Sequence, residues 1–262
     1  MPSESAGPGG ALRRAAYHVH FVVACLLGGF LFFVLAAAAL VHYALFRNGE
    51  SAALVWIRGW AATMTRVLGW RVAVEDLDTL HATSPAVVVG NHQSNLDTVP
   101  WASFFPRRSV AVGKKEILKV PFFGWLWKAT NNILIDRSNS ESARRSIAEA
   151  AARIRDERLN VWILPEGHRN DKPEMLPFKK GAFHLAIAAQ VPILPFVTSP
   201  MWEHLDAERW MVRPGTVTVR FLPPIATEGM TEADVDRLSL AAREAIEAQR
   251  QVFNRRAGLR IG

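Results

Sequence analysis

Hydrophobic and polar positions are unevenly distributed along the chain. Residues 21–41 form one apolar run of 21 positions with no charged side chain. A bilayer core takes about 20 apolar residues as helix, and a buried soluble helix of that length normally keeps a polar face. A secretory signal has a shorter apolar stretch, about 7–15 residues, ending in a small-residue cleavage site. Val41-His42-Tyr43-Ala44 is not such a site, so the run predicts an uncleaved, membrane-embedded helix. Residues 52–70 are again apolar-rich but place Arg58 and Arg66 among Trp56, Trp60 and Trp70. That mixture predicts an interfacial helix rather than a second full span. Arg13, Arg14 and Arg47 put positive charge on both flanks of the first helix, which gives no clean orientation. Spanning the bilayer and forming a one-leaflet hairpin both stay open. Residues 1–14 open small, polar and Pro/Gly-rich, and are predicted disordered.

From residue 71 the pattern shortens and alternates. Short apolar runs at 86–90, 110–112, 133–135, 161–164 and 193–197 predict buried strands, and 216–221 alternates as a half-buried one. Between them, residues 140–157, 180–190 and 231–256 have helical spacing, the last opening with the capping pair Thr231 and Asp234. Strands alternating with helices predict an α/β fold: a largely parallel sheet flanked by helices over 71–262, behind membrane-anchoring helices over 15–70.

Charge narrows the partners. The chain carries a formal net charge of +7, which suits an anionic membrane surface, at about 1 kcal/mol per cationic residue near the headgroups. It equally suits a phosphorylated substrate or an acidic carrier protein. No nucleic-acid-binding motif accompanies the charge, so nucleic acid is not an expected partner. The single cysteine, Cys25, lies inside the apolar run, which excludes an intramolecular disulfide and a cysteine-based zinc site.

In open α/β sheets, active sites form beyond the carboxyl ends of the strands. Two polar clusters hold that position here. Asn91-His92 is followed by Asp97, five residues beyond the His. If His92 lies in the loop and Asp97 at the start of a helix, the carboxylate can hold one ring nitrogen and leave the other to accept a proton from a hydroxyl. That makes a base without a protein nucleophile, so the substrate must bring the attacking oxygen. Ser94-x-x-Asp97 also fits a capping box, so spacing alone leaves two readings. The second cluster is Glu166-Gly167-His168-Arg169. Arg169 offers a fork suited to phosphate, Gly167 lets backbone approach closely, and Glu166 could orient the Arg or a ligand hydroxyl. A polar turn with a surface ion pair is the alternative. Lys114, Lys115 and Lys119 precede the aromatics of residues 122–127, a composition that fits a membrane interface or core packing.

The ordered set Asn-His-x-x-x-x-Asp, Ile-Asp-Arg, Pro-Glu-Gly-x-Arg and Val-Pro-Ile-Leu-Pro resembles the glycerolipid acyltransferase family. The stretches GKKEIL, NILIDR and LPFKKGAFHLAIAAQVPILP are most similar to its bacterial 1-acylglycerol-3-phosphate acyltransferase branch. The resemblance covers roughly residues 86–224. It implies transfer of an acyl chain from a thioester, acyl-CoA or acyl carrier protein, to a glycerol hydroxyl, giving phosphatidic acid at the cytoplasmic face of the inner membrane. In the matching positions His92 is the general base and Asp97 its partner. Lys114, Arg137, Glu166, Gly167 and Arg169 hold the glycerol phosphate, and Pro192 belongs to the acyl-binding side. No metal or prosthetic group is implied. His168 stands where the family usually has Thr or Ser, and Leu164 where it usually has Phe. Other acceptors, such as glycerol 3-phosphate, are the nearest alternative. A lipid hydrolase is a further one, although Ser94 lacks the Gly-x-Ser-x-Gly setting of a nucleophile.

Overall fold

The computed structural model describes residues 8–120, 122–136, 139–170 and 175–258, without the side chains of Pro8, Lys114 and Ser140. Two helices come first, α1 (Pro8–Phe46) and α2 (Gly49–Leu68). The remaining order is β1 (Trp70–Glu75), α3 (Leu77–Ala82), β2 (Val87–Gly90), α4 (Thr98–Ala102), β3 (Ser109–Lys114), α5 (Phe123–Ala129), β4 (Ile133–Ile135), α6 (Ser140–Asp156) and β5 (Asn160–Ile163). There follow α7 (Gly181–Ala189), β6 (Ile193–Thr198), the short pair β7 (Leu205–Asp206) and β8 (Met211–Val212), β9 (Gly215–Phe221) and α8 (Val235–Arg256).

Seven strands make one sheet in the order β1-β9-β6-β2-β5-β3-β4, parallel throughout except where β6 meets β9. The expected largely parallel α/β sheet is therefore present. The central strand β2 is Val-Val-Val-Gly, buried at every position and paired on both sides. Such a strand needs apolar side chains on both faces, which is why it reads as a continuous run rather than an alternation. Val87 and Val89 pack with Val161, Leu185 and Ile246 on the α6–α7–α8 face. Val88 packs with Trp101, Trp162 and Phe196 on the other face, where α2 contributes Ala61.

The capping box of Thr231 and Asp234 forms as expected, ahead of α8. Two elements differ from the sequence reading or add to it. Residues 8–14, expected to be disordered, are the first turns of α1. Pro is favoured at a first helical position, and Ala, Leu and Arg propagate a helix whose nucleus the apolar run supplies. Helix α2, expected at a membrane interface, also packs on the protein. Trp56 and Trp60 are held near Phe32 of α1, with centroids 5.6 and 6.3 Å from its ring.

Helix α1 lies along the body rather than projecting from it. Near its start Phe21 meets Trp210, ring centroids 6.0 Å apart. Farther on, Ala36 and Ala39 pack on Leu126 of α5. Its outward stripe includes Val19, Val23, Leu26, Phe30, Phe33 and Val34, all exposed. Residues Gly10–Phe46 are long and apolar enough to cross a membrane, with a mean hydropathy of 2.7 in their most apolar window.

Candidate active site

Strand β2 ends at Gly90, where a side chain would run into the ring of Phe196 on β6. The chain then turns away from the sheet through a loop pinned at each step. The Asn91 amide nitrogen donates to the Thr198 carbonyl at 3.1 Å, and its amide oxygen accepts from Thr198 N at 2.8 Å. Gln93 reaches the same strand end, donating to the carbonyls of Thr198 and Ser199 and accepting from Met201 N. Asn91 opens the first motif without a role assigned to it, and Gln93 did not stand out in the sequence, because an amide that ties two loops together has no signature of its own.

Within that loop His92 and Asp97 meet, with Nδ1 2.8 Å from Asp97 Oδ2. The His side chain is 22% exposed and the Asp side chain 1%. The same carboxylate oxygen accepts from Gln93 N at 2.6 Å and Ser94 N at 2.9 Å. A carboxylate only accepts, so Nδ1 carries the ring proton and Nε2 keeps its lone pair. Nε2 makes no hydrogen bond with the described residues. The capping alternative is met only in part: Asp97 Oδ2 accepts from Ser94 N, the acidic half of a capping box, and the hydroxyl half is missing. Asp97 sits at the start of the five-residue helix α4, but its side chain caps no helical N–H, and Ser94 Oγ accepts from Leu96 N instead. The remaining oxygen, Asp97 Oδ1, is buried without a hydrogen-bond partner among the described residues.

The second cluster follows β5, the strand beside β2. The sequence reading grouped Glu166 with the substrate-holding residues. In the fold its carboxylate is turned on backbone: Oε1 accepts from His92 N at 2.8 Å, and Oε2 accepts from Leu176 N at 3.0 Å. Burial raises the Glu166 carboxyl above its ordinary range, and the two N–H bonds pull it partly back. Glu166 therefore positions His92 by clamping the loop that carries it. The clamp is doubled by Asn170 N, which donates to the His92 carbonyl at 2.9 Å. Gly167 adopts φ +68°, a left-handed conformation that glycine enters without strain. His168 and Arg169 are exposed.

An apolar cavity of about 950 Å³ opens against this corner. His92, Gly167 and Lys179 line it, together with Phe32, Trp56, Trp60 and Phe123 at the α1–α2–α5 side and Ala143, Ala182 and Leu185 at the α6–α7 side. A pocket lined by carbon with few polar groups suits a ligand that is mostly hydrocarbon. The sequence-predicted residues divide accordingly. His92, Asp97, Glu166 and Gly167 come together. Arg169 stands on the same turn but does not line the cavity. The backbone of Lys114 pairs with Ile135 at the carboxyl ends of β3 and β4, whereas its side chain and Arg137 lie outside the described residues. Pro192 is a correction: it precedes β6, and its carbonyl accepts from Val87 N at the amino end of the sheet. The register puts Gly90 opposite Phe196, so the site edge of β6 is Phe196, which does line the cavity.

Residues 71–199 match the family model described as Acyltransferase. The chain is 35% identical to the 1-acyl-sn-glycerol-3-phosphate acyltransferase of Haemophilus influenzae, over 77% of this chain and 82% of that protein. It is 37% identical to the human 1-acyl-sn-glycerol-3-phosphate acyltransferase beta, over 86% of this chain and 80% of that protein. In fold it is similar to the crystal structure of the 1-acyl-sn-glycerophosphate (LPA) acyltransferase of Thermotoga maritima, with a TM-score of 0.67 at 22% identity, over 91% of this chain and 97% of that one. The matched span contains His92, Asp97 and Glu166, and the chain belongs to the acyltransferase family that includes these 1-acyl-sn-glycerol-3-phosphate acyltransferases.

Proposed function

We propose that this protein transfers an acyl chain from a thioester, acyl-CoA or acyl carrier protein, to the free sn-2 hydroxyl of 1-acylglycerol 3-phosphate, giving phosphatidic acid. The observation that carries the reading is a His–Asp pair whose histidine lines a large apolar cavity and keeps its second ring nitrogen unbonded among the described residues. His92 Nε2 takes the proton of the acceptor hydroxyl as its oxygen attacks the thioester carbonyl. The C–S bond then breaks, and the leaving thiolate recovers that proton from the imidazolium. Asp97 favours the protonated ring during the attack. The names of the relatives support the acceptor, and the hydrocarbon lining supports a substrate with a long chain.

The same reading puts the site at a membrane surface. A helix of 39 residues spans about 58 Å. Protein flanks α1 from Phe21 to Ala39, and a spanning helix would need to leave that body to meet lipid on all sides. We infer that α1 lies in one leaflet with its outward apolar stripe in the hydrocarbon, on the cytoplasmic face of the inner membrane, and that basic side chains face anionic headgroups.

Offering the purified full chain a radiolabelled acyl thioester with a panel of acceptors tests the reaction. The panel holds 1-acylglycerol 3-phosphate, glycerol 3-phosphate, a lysophosphatidylcholine and water alone. Labelled phosphatidic acid is the expected dominant product. Preferential label in free fatty acid, or in the product of another acceptor, would contradict the assignment.

A further inference from the structure

Among the described residues that line the cavity, Lys179 is the only Lys, Arg, Asp or Glu. The sequence reading passed over it, because in Phe178-Lys179-Lys180-Gly181 two adjacent lysines look like a solvated helix start. The structure separates them. Lys180 Nζ turns outward to Asp236 Oδ1 on α8, 2.6 Å away. Lys179, although exposed, lies across the turn after β5 at the cavity wall, tied there by its own N–H, which donates to the Pro165 carbonyl at 2.8 Å.

Its side chain lies over Gly167. A Cβ placed on that glycine would stand 2.5 Å from Lys179 Nζ and 2.8 Å from both Cδ and Cε. The missing side chain at 167 thus serves two purposes, the left-handed backbone and the space in which the lysine lies. The ammonium has no carboxylate partner among the described residues. A cation without a carboxylate partner, at a mostly apolar cavity whose other polar lining residues are His92, Asn95, Thr98 and Asn132, is a place suited to an anion.

We propose that Lys179 binds the phosphomonoester of the acyl acceptor and so helps to select a phosphorylated acceptor. This rests on the acyl-transfer reading above. The argument is the juxtaposition of Lys179, Gly167 and His92 on one cavity wall, linked by Glu166, whose neighbour Pro165 bonds Lys179 N and whose carboxylate bonds His92 N. In 1-acylglycerol 3-phosphate only the short C2–C3–O3 link separates the reacting hydroxyl from the phosphate. A cation serving that phosphate must therefore stand near the base. The phosphates of a coenzyme A donor are far from its thioester carbonyl, along the pantetheine arm.

The test compares full-length wild type with Lys179→Met, Lys179→Arg and, as a control, Lys180→Met, each with its melting temperature recorded. Lys179→Met should raise KM for 1-acylglycerol 3-phosphate by about tenfold or more, the loss expected for one charged hydrogen bond. The thioester KM should stay within about twofold, Lys179→Arg should recover most of the affinity, and Lys180→Met should change neither. Inhibition by 1-acylglycerol, which lacks the phosphate, should be equally strong in wild type and Lys179→Met. An unchanged acceptor KM overturns the proposal. So does a rise in the thioester KM alone, which would assign Lys179 to the donor, or a fall confined to kcat, which would assign it to the oxyanion. A wild type that makes no phosphatidic acid refutes the transfer reading instead.

Discussion

The loop after β2 and the turn after β5 leave neighbouring parallel strands at the same edge of the sheet, and each carries an acidic side chain that is almost wholly buried. They use those carboxylates differently. Asp97 gives one oxygen to the imidazole and to two N–H groups of its own loop. Glu166 gives one oxygen to each of two separate segments and makes no hydrogen bond to a side chain among the described residues. The difference teaches that a polar motif at a strand end can act on substrate, on a side chain or on backbone, and that burial together with hydrogen-bond direction tells these apart. One carboxylate bonds the ring of His92, and the other bonds its backbone.

The comparison breaks most visibly at the base. His92→Ala should lower turnover by about 10²–10⁴-fold, the range of general-base catalysis, with little change in melting temperature because the ring is partly exposed. Initial rates of phosphatidic acid formation read the effect. Next comes Asp97→Asn, for which turnover should fall on the order of 10²–10³-fold. The amide oxygen can take over the three donors, and the amide nitrogen then enters the space of Oδ1, which has no partner. What is lost is the charge that stabilises the imidazolium. Stability should fall by roughly 1–3 kcal/mol, so rates must be read well below the melting transition.

Glu166→Gln sharpens the contrast. A glutamine presents one oxygen and one NH2, so either His92 N or Leu176 N faces a donor in place of an acceptor. Turnover should drop by about tenfold, with a stability loss of roughly 1–3 kcal/mol. The loss should depend on pH. Burial raises the Glu166 carboxyl in the folded state, so the folded protein binds more protons than the unfolded chain between the ordinary carboxylate value and the raised one. Wild-type stability from this group then decreases as pH rises through that window. Thermal melts at several pH values should show the Gln variant's deficit largest on the acid side and smaller above the window. The smallest effect belongs to the outer side of the same turn. His168 is exposed and does not line the cavity, so His168→Thr should leave kcat/KM within about twofold.

Much of the sheet was legible because its inner strands are short, apolar and buried on both faces. The run at 133–135 matches β4 residue for residue, and 86–90 is β2 with one residue added. Strand β1 was not singled out, since its Trp-Arg-Val-Ala-Val-Glu pattern belongs to an edge strand that is mostly half-buried. The His92–Asp97 pair could be proposed from spacing, but that the carboxylate reaches the ring as well as the loop N–H groups depends on the fold of residues 91–97. Pro192 misled because a motif gives order along the chain and not height along a strand. Lys179 was missed because a lysine at a helix start has the same local signature whether it faces solvent or a cavity. Trp56 and Trp60 read as interfacial because Trp beside Arg is common there, whereas their indole nitrogens are buried.

The central claim is that Asp97 acts on the reaction through His92. A double-mutant cycle measures it most directly, with kcat/KM taken for wild type, His92→Ala, Asp97→Asn and the double variant. Groups that work as one unit show strongly non-additive losses. The account predicts that once His92 is alanine, Asp97→Asn slows the reaction by less than about threefold, although alone it slows it on the order of 10²–10³-fold. If the two losses instead multiply in the double variant, Asp97 contributes independently of the imidazole, and the His–Asp unit is not the catalytic device described here.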